Sequence, residues 1–146
     1  MCWTSGEVKL LKKGFPASID SLEDMQQFVR EMIQIAQFDP SNAIKIEVAI
    51  EEALVNVITH AYVGKKDSEK TLEVSCYLQP EGIEFVIVDR GVVFNPVQYV
   101  QERCQTLSAE EQCLGGYGLL LITQMMDNVR YLRDGEQNVL TIAKYK

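Results

Sequence analysis

The sequence predicts an α+β fold, a two-layer sandwich with helices on one face of a mixed, mostly antiparallel sheet. Three observations predict it. Segments of helical and strand periodicity come in blocks, which segregates helices from strands. Two pairs of strand-like segments flank short turns, Pro80-Glu81-Gly82 and Asp134-Gly135-Glu136-Gln137. The 146 residues hold no internal repeat, low-complexity tract or long linker, so the elements must pack as one domain.

Glu7 to Phe15, ending at Pro16, reads as an edge strand. Asp20 or Ser21 offers a cap to a helix whose Leu22, Met25, Phe28 or Val29, Met32, Ile33 and Ala36 recur at three and four, and which stops near Phe38. Asp39-Pro40 then reads as a cap followed by proline at the first helical position. The second helix carries Ile44, Val48, Ala49, Leu54, Val57, Ile58 and Ala61, a stripe broad enough to be mostly buried. After a turn at Gly64 to Ser68, Leu72, Val74, Cys76 and Leu78 alternate with Glu73, Ser75, Tyr77 and Gln79, the pattern of a strand with one wet face. The unbroken apolar run Ile83 to Val88 reads as a central strand buried on both faces. Asn95 to Gln112 is polar, with short helices over Val97 to Arg103 and Ser108 to Gln112, and a lid is expected over about 96–115. Leu119 to Met126 is an apolar helix, and Val129 to Arg133 and Asn138 to Tyr145 are the last strands.

Fourteen Lys and Arg against twenty-one Asp and Glu give a net charge of -7, the wrong sign for coating nucleic acid phosphates. The longest apolar runs are far below the roughly 20 residues of a spanning helix. The N-terminus lacks the basic start and apolar core of a signal peptide, so the expected location is the cytoplasm. There Cys2, Cys76, Cys104 and Cys113, with no CxxC spacing, are expected to be free thiols. One histidine, His60, cannot build a multi-histidine zinc site, so any metal is a hard ion held largely by oxygen.

Three polar clusters fall where burial should exclude them. Glu52 and Asn56 lie one helical turn apart, with His60 a turn further, so a carboxylate fit to accept a proton stands beside an amide oxygen fit to bind magnesium. A solvated helix stripe has the same spacing. Asp89-Arg90-Gly91 ends the apolar strand, where a carboxylate is costly unless paired; it suits the amino group of adenine, with Gly91 letting the backbone approach the base. A plain Asp-x-Gly turn is the alternative. Gly115-Gly116-Tyr117-Gly118 opens a helix, a setting for phosphate on backbone N–H groups or simply a flexible turn. His60 reads as a structural side chain, and Tyr62 and Tyr117 as packing or nucleotide-flanking aromatics, packing first.

Together, Glu-x-x-x-Asn on a helix, Asp-x-Gly after a strand, a polar lid and a Gly-rich helix start resemble the N, G1 and G2 boxes of the GHKL ATPase superfamily. Its fold is the Bergerat, histidine-kinase-like ATPase fold. Within it, Glu51 to Tyr62, and Gly115 to Ile122 through Met126-Asp127-Asn128-Val129, resemble the bacterial anti-sigma-factor serine kinases of the RsbW and SpoIIAB type, over essentially the whole chain. The resemblance implies ATP and Mg2+ as cofactors, Glu52 as general base, Asn56 as magnesium ligand, Asp89 and Gly91 as adenine contacts, and Gly115, Gly116 and Gly118 at the phosphates. It implies a serine kinase that binds a sigma factor and phosphorylates an anti-anti-sigma antagonist of STAS type, and a homodimer. The sequence departs from the pattern twice. No Lys or Arg lies between Arg103 and Gly115, and Gly135 to Asn138 only approximates a third glycine box, so no ligand is assigned there. Two rival readings are a non-catalytic ATP-dependent switch that sequesters its partner and the catalytic domain of a split histidine kinase.

Overall fold

A computed structural model describes residues 8–99 and 117–146. The elements are β1 (Lys9–Pro16), α1 (Leu22–Ala36), α2 (Pro40–Asn56), β2 (Thr71–Gln79), β3 (Gly82–Asp89), α3 (Tyr117–Met125), β4 (Asn128–Asp134) and β5 (Gln137–Tyr145). The strands form one sheet in the order β1-β2-β3-β5-β4, and every neighbouring pair is antiparallel. The α+β class and the edge position of β1 are as the sequence predicts. Exposed Lys12 and Lys13 on β1 put charge on that edge, which discourages pairing with a foreign strand.

The start of α1 differs from expectation. Ser21 has helical backbone angles and makes no capping bond; a 3-10 turn, Ile19–Ser21, leads into the helix, and the Ser18 and Ser21 hydroxyls lie 3.3 Å apart. Gln37, at φ 58°, ends α1 in the left-handed region. The start of α2 follows the Asp-Pro reading: Asp39 accepts from the Asn42 N–H at 3.2 Å and from its Nδ2 at 2.6 Å. Those bonds hold the Asp39 carboxyl below its ordinary range.

The buried stripe of α2 and the turn that follows it keeps Ala49, Leu54, Val57 and Ala61 of the sequence reading but takes Ile46 and Ile50 in place of Ile44. Ile46, Ala49, Ile50, Ala53 and Leu54 are buried, while Ile44 is 62% exposed. A helix apolar on several sides fits two stripes, and packing against α1 and α3 selects one. The helical path also changes pitch, because Val57–Ala61 is a π turn.

On the sheet's core face lie Leu72, Val74, Cys76 and Leu78 of β2, Ile83, Phe85 and Ile87 of β3, and Leu140 and Ile142 of β5. β3 is central, yet it is not buried on both faces. Glu84, Val86 and Val88 are half-buried, because the helices cover one face only. On β2 the wet face holds as expected except at Ser75, which is buried. Cys76 is a free thiol whose burial pushes it well above the ordinary range; Cys2, Cys104 and Cys113 lie outside the described residues. Among the described residues, no helix is long and apolar enough to cross a membrane.

Candidate nucleotide-binding site

Sheet register assembles the first half of the site. Leu72, Asp89, Asn138 and Arg133 lie side by side across β2, β3, β5 and β4, at the end of the core face nearest the π turn. Asp89 and Asn138 are both buried, and polar groups so placed need partners. Asp89 Oδ1 accepts from the Gly91 N–H at 2.8 Å and from Asn138 Nδ2 at 2.9 Å. Asn138 Nδ2 also donates to the Val92 carbonyl at 2.8 Å, while its Oδ1 accepts from the Tyr131 hydroxyl at 2.5 Å and the Phe94 N–H at 3.4 Å. Both bonds to Asp89 converge on Oδ1. Oδ2 makes no hydrogen bond to a described residue. Asp89 lines an open cavity of about 590 Å³ with Leu72, Arg90 and Gln137, and a smaller cavity on the core face.

That smaller cavity, about 110 Å³, is walled mainly by apolar side chains, among them Ala53, Ile87, Phe94 and Leu140, with Asp89, Asn138 and Tyr131 at its polar end. An apolar slot with a few convergent polar groups suits a flat heterocycle. Its rim is fixed by the loop after Asp89. A Cβ on Gly91 would overlap the carbonyl oxygen of Ala61, and the Val92 N–H donates to that same oxygen at 3.0 Å. Gly91 therefore lets the loop press against the π turn. Tyr62 packs in the core and ties the same corner: its hydroxyl donates to the Thr71 carbonyl at 2.5 Å and accepts from the Arg90 N–H at 2.7 Å. Arg133 Nη1 reaches the Gly91 carbonyl at 3.0 Å.

Beside it opens a wider cavity of about 470 Å³, lined by Glu52, Asn56, His60, Phe94, Tyr99 and Gly118 among others. Asn56 and His60 line both cavities and so mark the passage between them. His60 is exposed at this junction and is not the packed structural side chain that was expected. The predicted residues Glu52, Asn56, Asp89 and Gly118 thus line two adjoining cavities, while Gly91 lines neither and packs against Ala61. Gly115 and Gly116, and the lid from residue 100 onward, lie outside the described residues. Its first turn is described: residues 96–99 are helical, and Asn95 caps them, accepting from the Gln98 N–H at 3.0 Å.

The sequence reading missed Asn138 and Tyr131. Asn138 sits in the stretch to which no ligand was assigned. Its role depends on the antiparallel pairing of β3 and β5, which sets it opposite Asp89.

A family model described as a histidine kinase-like ATPase domain matches residues 15–144. The chain belongs to this family. Membership of the histidine kinase-like ATPases implies ATP as the ligand and agrees with the motif resemblance. Serine-protein kinase RsbW of Listeria innocua is 32% identical over 104 residues, covering 66% of this chain and 62% of the relative. The matched stretch thus spans about 62% of that relative's length. The anti-sigma F factor of Oceanobacillus iheyensis is 27% identical over 131 residues, 87% of this chain and 88% of the relative. Among solved structures, a chain of the SiaB-SiaC complex from Pseudomonas aeruginosa superposes with a TM-score of 0.66 at 17% identity, over 91% of this chain and 88% of that one, so it shares the fold.

Proposed function

We propose that this histidine kinase-like ATPase domain is an ATP-dependent protein serine kinase that binds a sigma factor and phosphorylates an anti-anti-sigma antagonist. The observation that carries the reading is the adjacency of the two cavities, a slot ending in Asp89 and an open space holding Glu52, with Asn56 at the passage. Similarity to proteins named serine-protein kinase RsbW and anti-sigma F factor supports the choice of serine as acceptor and sigma factor as partner.

In this reading adenine enters the apolar slot, and its amino group donates to Asp89 Oδ2. Gly91 keeps the loop against the π turn and so holds that carboxylate in register. The phosphates extend past Asn56 into the wider cavity. Asn56 makes no side-chain hydrogen bond to a described residue, which leaves its amide oxygen free for a hard cation. Magnesium, when bound, neutralises charge on the phosphates. Glu52 takes the proton from the incoming serine hydroxyl as its oxygen bonds to the γ-phosphorus. The bond from that phosphorus to the β-bridging oxygen breaks, and ADP leaves.

The stretch without Lys or Arg between Arg103 and Gly115 favours a second reading, a switch that binds its partner under control of ATP without transfer. One experiment separates the two. Purified protein is incubated with γ-labelled ATP and small STAS-type antagonist proteins. Label on serine supports the kinase; tight binding without label supports the switch. Asn56→Ala should weaken magnesium-dependent ATP binding, and wild-type affinity that is equal with and without magnesium would contradict the role given to Asn56. We assign the working protein to the cytoplasm as a homodimer, which sedimentation tests.

A further inference from the structure

We propose that Gly118 is the seat of the Glu52 carboxylate, a positioning residue that acts by having no side chain. The idea rests on Glu52 being the base. Six glycines lie among the described residues, and the space around each separates their roles. Gly14, Gly64 and Gly135 face open space. A Cβ on Gly82 or Gly91 would strike backbone, the Lys144 or Ala61 carbonyl. Gly118 alone of the six is opposed by side-chain atoms only: its Cβ would overlap Glu52 Oε2 and stand 3.0 Å from Glu52 Cδ.

The consequence for each kind of glycine differs. Backbone cannot withdraw, so a side chain at Gly82 or Gly91 threatens the fold. A glutamate has rotatable bonds, so a methyl at Gly118 displaces the carboxylate and leaves the fold standing. The carboxylate makes no hydrogen bond to another described residue, and so the gap at Gly118 in α3 is what defines its place. Reaction rate is steep in such placement, with about a hundredfold at stake for a misplacement of about 1 Å. Gly118 therefore governs where Glu52 stands between the two helices. This differs from holding phosphate, the role that the glycine-rich resemblance implies for it.

The test is Gly118→Ala in the full chain, read three ways. The melting midpoint should equal or exceed wild type, since alanine is the better helix former. Affinity for Mg-ATP, measured by calorimetry, should stay within about threefold. The Glu52 side-chain carboxyl resonance in 13C-labelled protein, assigned by its loss in Glu52→Gln, should shift. With a serine acceptor in hand, transfer should fall about ten- to a hundredfold with the KM for ATP unchanged. An unmoved Glu52 resonance overturns the proposal, as does a loss of ATP affinity beyond about tenfold, which returns Gly118 to the phosphates. If Gly118→Ala is poorly folded, Glu52→Asp supplies the second test. The shorter side chain clears the methyl, so adding Gly118→Ala to Glu52→Asp should cost less stability than adding it to wild type. Equal cost in both backgrounds overturns the seat. A shifted resonance together with full transfer by Glu52→Gln keeps the seat and removes the base reading; an unmoved resonance with an inactive Glu52→Gln does the reverse.

Discussion

The two cavities are built differently. At the Asp89 end, the polar side chains are tied together: Asp89 to Asn138 and Gly91, Asn138 to Tyr131 and Val92, the loop to Ala61 and Arg133. At the Glu52 end, neither Glu52 nor Asn56 makes a side-chain hydrogen bond to another described residue. A base needs fixed donors and acceptors to be recognised, and their geometry is set before the ligand arrives. Phosphates and metal bring charge of their own, so the groups that meet them are left unpaired until then. In the proposed reading, recognition of the nucleotide is housed in the sheet, and chemistry between the helices.

The largest expected effect breaks the chemical end alone. Glu52→Gln should lower transfer to serine by about a hundred- to ten-thousandfold, the usual range for loss of a general base, with ATP affinity nearly intact. Transfer at the wild-type rate would leave Glu52 without a catalytic role and point to Glu51. Next comes the recognition end. Asp89→Asn presents a donor where adenine also donates; loss of a charge-assisted hydrogen bond of about 1.5–3 kcal/mol corresponds to about ten- to a hundredfold weaker ATP binding. Tyr131→Phe sharpens the comparison, because it removes one bond to Asn138 without touching the slot's shape. We expect a loss of about 1 kcal/mol, a severalfold weaker ATP affinity, seen by calorimetry. An unchanged affinity would show that Asn138 holds Asp89 without help.

The smallest effect lies outside both cavities. Asp39 is held below its ordinary range by Asn42, so its contribution to α2 is present above the unfolded carboxyl range and is lost as pH falls through the lowered folded value. Asp39→Ala should lower the melting midpoint at neutral pH, and the gap from wild type should close under acid conditions. ATP affinity at neutral pH should not change.

Much of this arrangement was legible in the sequence, and the reasons are local. Asp39-Pro40 fixes a helix start by its own chemistry, and alternation in β2 reports one covered face. Glu52 and Asn56 share a helix face by spacing alone. What was not legible depends on partners distant in sequence. The run Ile83 to Val88 carries no mark of which face the helices will cover. Asn138 gains its meaning only from lying opposite Asp89, 49 residues earlier. The π turn that receives Gly91 leaves no periodic trace, and the burial of Ile46 and Ile50 in place of Ile44 was not legible because several sides of α2 are apolar. Asn95-Pro96, by contrast, repeats the Asp39-Pro40 pattern and was open to the same reading.

The claim that recognition is prebuilt around Asp89 is tested most directly by calorimetric titration of the wild-type protein with ATP and with GTP, in magnesium, under one set of conditions. Guanine carries a carbonyl where adenine carries its amino group, and so sets an acceptor against the Asp89 carboxylate. The account predicts ATP binding at least about tenfold tighter than GTP, with the preference lost in Asp89→Asn. Equal affinities for the two nucleotides in the wild type would contradict it.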